Sequence, residues 1–142
     1  MSREEVSKLP KEILDFGYPV QIYDGFYLGP KSMEDLDGSE MFNHSCSPNA
    51  GVRGQNVLVA RRHILFGEEI CFDYETTDTE DMYFECKCKS SNCRGMIDGN
   101  SWKKLEFQIQ NEGYLSWYIL DKINKLNRIA QTDSTKSEYL TS

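Results

Sequence analysis

The chain has 142 residues, 39% hydrophobic and 27% charged, which suits one small soluble domain with a single modest core. Its formal net charge of −7 argues against sequence-independent DNA binding, which needs a basic face, so no direct nucleic-acid binding is expected; it suits a basic, lysine-bearing partner instead. No apolar run approaches membrane length, and the opening MSREEVSKLP has neither a basic nor an apolar leader region. The chain is therefore expected to be intracellular, cytoplasmic or nuclear, with no membrane partner.

In chain order, Ser2 can cap a first helical turn carrying Glu4 and Glu5, and Pro10 can open a second that runs through Leu14. Gly17 and Pro19 break it. Val20, Ile22, Phe26 and Leu28 alternate about Asp24-Gly25, which predicts two short strands and a tight turn. Residues 31–37 read as a turn or a short helix. The segment AGVRGQNVLVARR predicts a hairpin that turns at Gly54-Gln55-Asn56. Gly67 marks a turn before a strand from Glu69 to Tyr74, and residues 76–82 read as an acidic loop. Apolar residues at Leu115, Tyr118, Ile119, Ile123, Leu126 and Ile129 predict an amphipathic helix. A shorter helix is expected near Lys103 to Ile109, with Gly113 between the two. The apolar stripe reads as core packing or as the seam of a homo-oligomer, and residues 132–142 as a flexible tail.

The most informative segment is Cys86, Cys88 and Cys93, followed by Arg94 and Gly95. Three thiols in C-x-C-x4-C spacing, with no secretory leader, read as a metal site before a disulfide framework. Structural zinc takes four ligands, and this cluster supplies three. Cys71 lies in the apolar run Ile70-Cys71-Phe72, where a free cysteine behaves as a small hydrophobe. Cys46 lies in the polar loop FNHSCSPNA and can turn toward a metal. Cys46, Cys86, Cys88 and Cys93 are the expected zinc ligands, and they tie two distant loops together.

FNHSCSPNA, ARRHILFGEEICFDYE and CKCKSSNCRG, in that order, resemble SET-domain protein lysine methyltransferases with a post-SET zinc motif. The resemblance covers Met41 to Gly95 and implies the same four zinc ligands. It implies a mainly β, SET-type (β-clip) fold with short helices, a knot-like crossing that brings separate segments together, a post-SET zinc loop and C-terminal helices. The expected divisions are a SET core at 1–85, a post-SET segment at 86–100, C-terminal helices at 101–131 and the tail at 132–142. The implied activity is methyl transfer from S-adenosylmethionine to the side-chain amine of lysine in a basic protein.

Within that resemblance Tyr74 matches the catalytic tyrosine. A phenol suits this role because its ring walls a narrow channel and its oxygen orients an amine for in-line displacement. Asn43, His44 and Phe84 match cofactor-contacting positions. Trp102 is read either as closing the lysine channel or as core, His63 as solvent-facing, and Asp73 as a solvated carboxylate with no catalytic role. Asp78, Glu80, Asp81 and Glu85 place negative charge near the expected peptide groove.

The chain also departs from the family pattern. No G-x-G precedes the N-H-S-C loop, since Gly17, Gly25 and Gly29 lack that spacing, so the SET core is expected to lack its first strands. Glu40 and Met41 replace the usual arginine and phenylalanine, and Lys89 replaces the glycine after C-x-C. Two alternatives to the enzyme therefore stand: a catalytically silent SET-like module that binds a basic peptide, and a zinc-stabilised interaction domain.

Overall fold

In the computed structural model, residues 1–79 and 82–139 are described, with side chains as far as residue 130. Ser2 starts α1 (Arg3–Val6) through a reciprocal box in which its hydroxyl accepts the Glu5 N–H and the Glu5 carboxylate accepts the Ser2 N–H. α2 (Lys11–Phe16) follows Pro10 and ends at Gly17, whose φ of 68° is the left-handed conformation that stops a helix. β1 (Val20–Tyr23) and β2 (Phe26–Leu28) pair antiparallel about Asp24-Gly25, as their alternation predicts.

β3 (Asn43–His44) and β6 (Cys71–Phe72) pair in parallel, with Asn43 opposite Cys71 and His44 opposite Phe72. A pair this short needs help, and Asn49 provides it. Its buried amide donates to Glu68 Oε1 at 2.9 Å and to the Glu69 carbonyl at 2.8 Å, and its Oδ1 accepts the Cys71 N–H at 2.9 Å. Between these strands, β4 (Ala50–Arg53) and β5 (Val57–Ala60) form the expected hairpin.

β6 is shorter than the strand expected from Glu69 to Tyr74. Asp73 ends it: its carboxylate accepts the Glu75 N–H and starts a 3-10 turn over Tyr74–Thr76. Tyr74 therefore sits on a turn, not in a strand. The first part of the expected acidic loop is also not solvated. Thr76, Thr77 and Thr79 are buried, and Gln21 Oε1 accepts from the Thr79 N–H and hydroxyl, which pins the segment to β1. Glu80 and Asp81 lie outside the described residues.

β7 (Phe84–Glu85) and β8 (Met96–Ile97) pair across the cysteine segment. A 3-10 turn at Ser101–Lys103 leads to α3 (Leu105–Gln110) and then α4 (Trp117–Tyr139). Leu115 precedes α4 because Ser116 caps it, the hydroxyl accepting the Ile119 N–H. Leu115, Tyr118, Ile119 and Ile123 still bury their side chains, against Trp102 and Phe107, whereas Leu126 and Ile129 are exposed. Trp102 is thus core. The backbone of α4 continues as far as Tyr139, through most of the expected tail; residues 140–142 lie outside the described residues.

The described residues form four two-stranded sheets, mostly short helices and no barrel. None of the described helices is long and apolar enough to cross a membrane.

Candidate active site and metal centre

The β3–β6 pairing fixes the geometry of the site. It sets the loop after His44 beside the turn after Phe72, so Cys46 and Tyr74 leave the same small sheet. The β7–β8 pair carries the other three cysteines up to Cys46. The sulfurs of Cys46, Cys86, Cys88 and Cys93 all lie within 4.8 Å of one another, and those of Cys46 and Cys86 are 3.7 Å apart. A zinc–sulfur bond of ~2.3 Å in tetrahedral geometry requires sulfur–sulfur edges of ~3.8 Å, so the four fit one zinc ion. Cys71 stands outside the group.

The surroundings suit anionic sulfur. The Arg94 N–H donates to Cys46 Sγ at 3.4 Å, and the Ser90 hydroxyl lies 3.1 Å from Cys88 Sγ. Burial raises the Cys88 thiol's pKa, but hydrogen bonds from Ser90 and its neighbours outweigh that and bring it to about 5. Burial dominates at Cys46 and pushes its thiol up. A divalent cation resolves such a conflict by holding all four as thiolates.

His44 lies between the metal centre and Tyr74. Its Nδ1 accepts the Tyr74 N–H at 3.2 Å, which puts the ring proton on Nε2, 3.4 Å from Cys46 Sγ. Burial lowers the imidazole pKa and keeps the ring neutral. The side chain is only 4% exposed, so the imidazole is turned into the protein. Asn43 is exposed and donates to Glu69 Oε1 at 2.6 Å.

Tyr74 occupies the other side of His44. The two rings meet edge to face with centroids 5.3 Å apart, and Phe72 and Phe84 lie 5.0 and 6.1 Å from the Tyr74 ring. The phenol donates to the Phe42 carbonyl at 2.8 Å, and burial raises its pKa, so it stays protonated near neutrality. Tyr74 and Phe84 line a cavity of about 960 Å³ between the N-terminal segment and the β4–β5 hairpin; Asn43 and His44 do not line it. Among the described residues, the ionisable carboxylates on its wall are Asp15, Glu40 and Asp78, against one guanidinium, that of Arg3. Among the described residues Glu40 Oε2 is buried with no hydrogen-bond partner, and burial holds the Asp78 carboxyl up at about 6.

The structure thus gathers Tyr74, His44, Phe84 and the four cysteines, and leaves Asn43 at the edge. His63 is exposed, as expected. Asp73 is not solvated. It is 2% exposed and takes a bidentate contact from Arg94, with Nη1 to Oδ2 at 2.6 Å and Nη2 to Oδ1 at 2.8 Å. The same Nη2 reaches Glu75 Oε2 at 2.8 Å. Sequence reasoning missed this triad. Its only trace is a charged residue placed directly after the last cysteine of the cluster, and carboxylates on both sides of Tyr74.

Comparison with known proteins gives the family. The SET domain profile matches residues 3–75, just over half of the chain. The chain belongs to the SET domain family, and its small strands and cysteine cluster are consistent with that fold. Over 66 residues it is 41% identical to the histone-lysine N-methyltransferase, H3 lysine-36 specific, of Saccharomyces cerevisiae, a match covering 42% of this chain and 9% of that protein. It is 37% identical over 67 residues to human histone-lysine N-methyltransferase SETD1B, covering 42% of this chain and 3% of that protein. Against Drosophila melanogaster histone-lysine N-methyltransferase Su(var)3-9 it is 34% identical over 79 residues, covering 42% and 12% respectively. The chain therefore spans only a small part of these relatives.

Proposed function

We propose that this chain is the methyl-transferring part of a protein-lysine N-methyltransferase that uses S-adenosylmethionine and acts inside the cell on a basic, lysine-bearing protein such as a histone. The observation that carries the reading is the neutral Tyr74 phenol on a cavity wall, one histidine away from a four-cysteine centre, in a SET domain. The relatives' names supply the substrate class.

Each residue has a part in this scheme. Asp15, Glu40 and Asp78 attract a basic peptide to the cavity. Loss of water on burial beside Phe72, Tyr74 and Phe84 shifts the target lysine toward its free amine. The Tyr74 oxygen, already held by the Phe42 carbonyl, orients that amine. S-adenosylmethionine, when bound, supplies an electrophilic methyl group. Phe84 and the Asn43–His44 strand are the groups proposed to contact it, His44 through its backbone because its imidazole faces Cys46. Cys46, Cys86, Cys88 and Cys93 would hold zinc, which fixes the segment carrying Phe84 against the loop of Asn43. The proposed divisions remain a SET core at 1–85, a post-SET segment at 86–100 and C-terminal helices beyond it.

A second reading, a SET-like module that binds a basic peptide without transfer, is favoured by one observation: Asn43 turns to Glu69 and lies off the cavity. Calorimetry with S-adenosylmethionine, followed by mass spectrometry of a lysine-rich peptide after incubation, separates the two. Cofactor binding with a 14-Da gain on the peptide supports transfer. Peptide binding with neither result leaves the binding module.

A further inference from the structure

Arg94 does more than follow the last metal-binding cysteine. Its guanidinium grips Asp73 with both terminal nitrogens and Glu75 with one, at 2.6–2.8 Å. These are the residues on either side of Tyr74. Its backbone N–H meets Cys46 Sγ at 3.4 Å, and its guanidinium lies 5.3 Å from the Phe107 ring centroid. Glu75 in turn accepts from the Ser101 N–H at 3.0 Å and the Ser101 hydroxyl at 2.7 Å. One side chain therefore joins the cysteine loop, the turn that carries Tyr74 and the C-terminal helices.

Tyr74 needs such support. A three-residue 3-10 turn has poor hydrogen-bond geometry and little intrinsic rigidity. The phenol itself has one fixed partner, the Phe42 carbonyl. With both neighbouring carboxylates fixed by a planar fork, the backbone on each side of Tyr74 cannot rotate independently.

We propose that Arg94 is a positioning residue for Tyr74, setting the orientation of its ring by holding Asp73 and Glu75 together, and so couples the metal loop to the catalytic turn. This rests on the proposed role of Tyr74 in transfer. Arg94 touches no reacting atom; it acts through the turn. A lysine cannot replace it, because a point charge on a flexible stem does not span two carboxylates in a fixed plane.

The test uses the full zinc-loaded chain with ring-labelled tyrosine, the Tyr74 resonances being assigned from Tyr74→Phe. Arg94→Lys and Arg94→Gln are compared with the parent for zinc content, melting, Tyr74 ring shifts and, separately, kcat and KM for a lysine-rich peptide. The expected result is full zinc content with displaced Tyr74 resonances in both variants. Transfer should fall by up to ~10²-fold in kcat at unchanged KM, as expected for a small misplacement of an aligning group. Should Arg94→Gln fail to fold, Arg94→Lys and Glu75→Gln carry the same readouts, and Glu75→Gln should displace the Tyr74 resonances in the same direction. Unmoved Tyr74 resonances in a folded variant overturn the proposal. So does loss of zinc from Arg94→Lys, which would make Arg94 a support of the metal loop alone. If the parent transfers no methyl group, the functional proposal fails while the resonances still decide this one.

Discussion

Replacing Glu75 by alanine should be among the most damaging single changes outside the cysteines. Glu75 is fully buried and accepts three hydrogen bonds, from Arg94 Nη2, the Ser101 N–H and the Ser101 hydroxyl. Removing one member of a buried ion pair typically costs about 3–5 kcal/mol, because the partner charge stays buried. Here Asp73 still engages Arg94 with both oxygens, so the arginine part lies toward the lower end of that range. The Ser101 N–H, in a residue only 4% exposed, is left without its acceptor, which adds about 1–3 kcal/mol. The sum is about 4–6 kcal/mol. For a chain of this size each kcal/mol moves the melting midpoint by roughly 3 °C, so the fall should be about 12–18 °C. Glu75→Gln keeps the shape and an acceptor for Ser101, and should cost about half as much. Urea melts of the zinc-loaded protein measure both. A Glu75→Ala change below about 1 kcal/mol would show that the triad is not a buried, closed network in solution and would refute the reasoning.

The other predictions concern the metal, the phenol, the turn and pH. Cys46→Ser should lower zinc content as much as Cys88→Ser does, because both sulfurs belong to one cluster within 4.8 Å; metal analysis after gel filtration checks this, and full occupancy in Cys46→Ser would remove the cross-loop ligand set. Tyr74→Phe loses one hydrogen bond, to the Phe42 carbonyl, so stability should fall by only about 1 kcal/mol while methyl transfer drops sharply. An unchanged transfer rate would mean that Tyr74 does not align the amine. Lys89 has φ of 59° in the turn after Cys88, a left-handed conformation that costs a side chain about 1 kcal/mol, so Lys89→Gly should raise stability by about that amount. Burial holds the Asp78 carboxyl at about 6, above its unfolded value of ~3.9. The folded state then binds more protons than the unfolded state between those values, so Asp78 contributes more stability at pH 5 than at pH 7.5, and the contribution fades as pH rises through 6. His44, whose pKa burial lowers, works the opposite way in that window, so the informative quantity is the difference between parent and Asp78→Asn melts at the two pH values.

Local signals in the sequence read through to the fold where chemistry and position coincide. The Ser2 box, the Gly17 stop, the β4–β5 hairpin and the buried face of α4 each follow from residues close together in the chain. The cysteine cluster was legible for a different reason: the ligand number of zinc calls for a fourth ligand, and of the two remaining cysteines only Cys46 sits in a loop able to supply one. Long-range polar pairing left no such pattern. Asp73 and Thr79 look solvated in sequence because charged or polar residues after a strand usually are, yet Arg94 and Gln21 bury them from 21 and 58 positions away. Nor does sequence show which way a polar side chain turns: Asn43 and His44 form β3 inside a segment that reads as a polar loop, and neither side chain reaches the cavity.

The two halves of the molecule are held by different forces. The C-terminal part has a conventional apolar cluster around Trp102, Tyr118 and Ile119. The site-bearing part has only two-stranded sheets, which are marginal by themselves, and a cluster whose buried members are Cys46, Cys86 and Ile97. Its order draws on cross-links: the cysteine centre, the Arg94 triad, the Asn49 hydrogen bonds and the Ser116 N–H, which donates to the Thr76 carbonyl at 2.9 Å. The first two depend on bound metal or on charge pairing, where the apolar cluster depends on neither. Removing zinc should therefore disorder the Tyr74 turn before α4 leaves its core. Near-ultraviolet circular dichroism of the tyrosines would then be lost ahead of the helical signal as chelator is added, and simultaneous loss of both signals would mean the two halves fold as one unit.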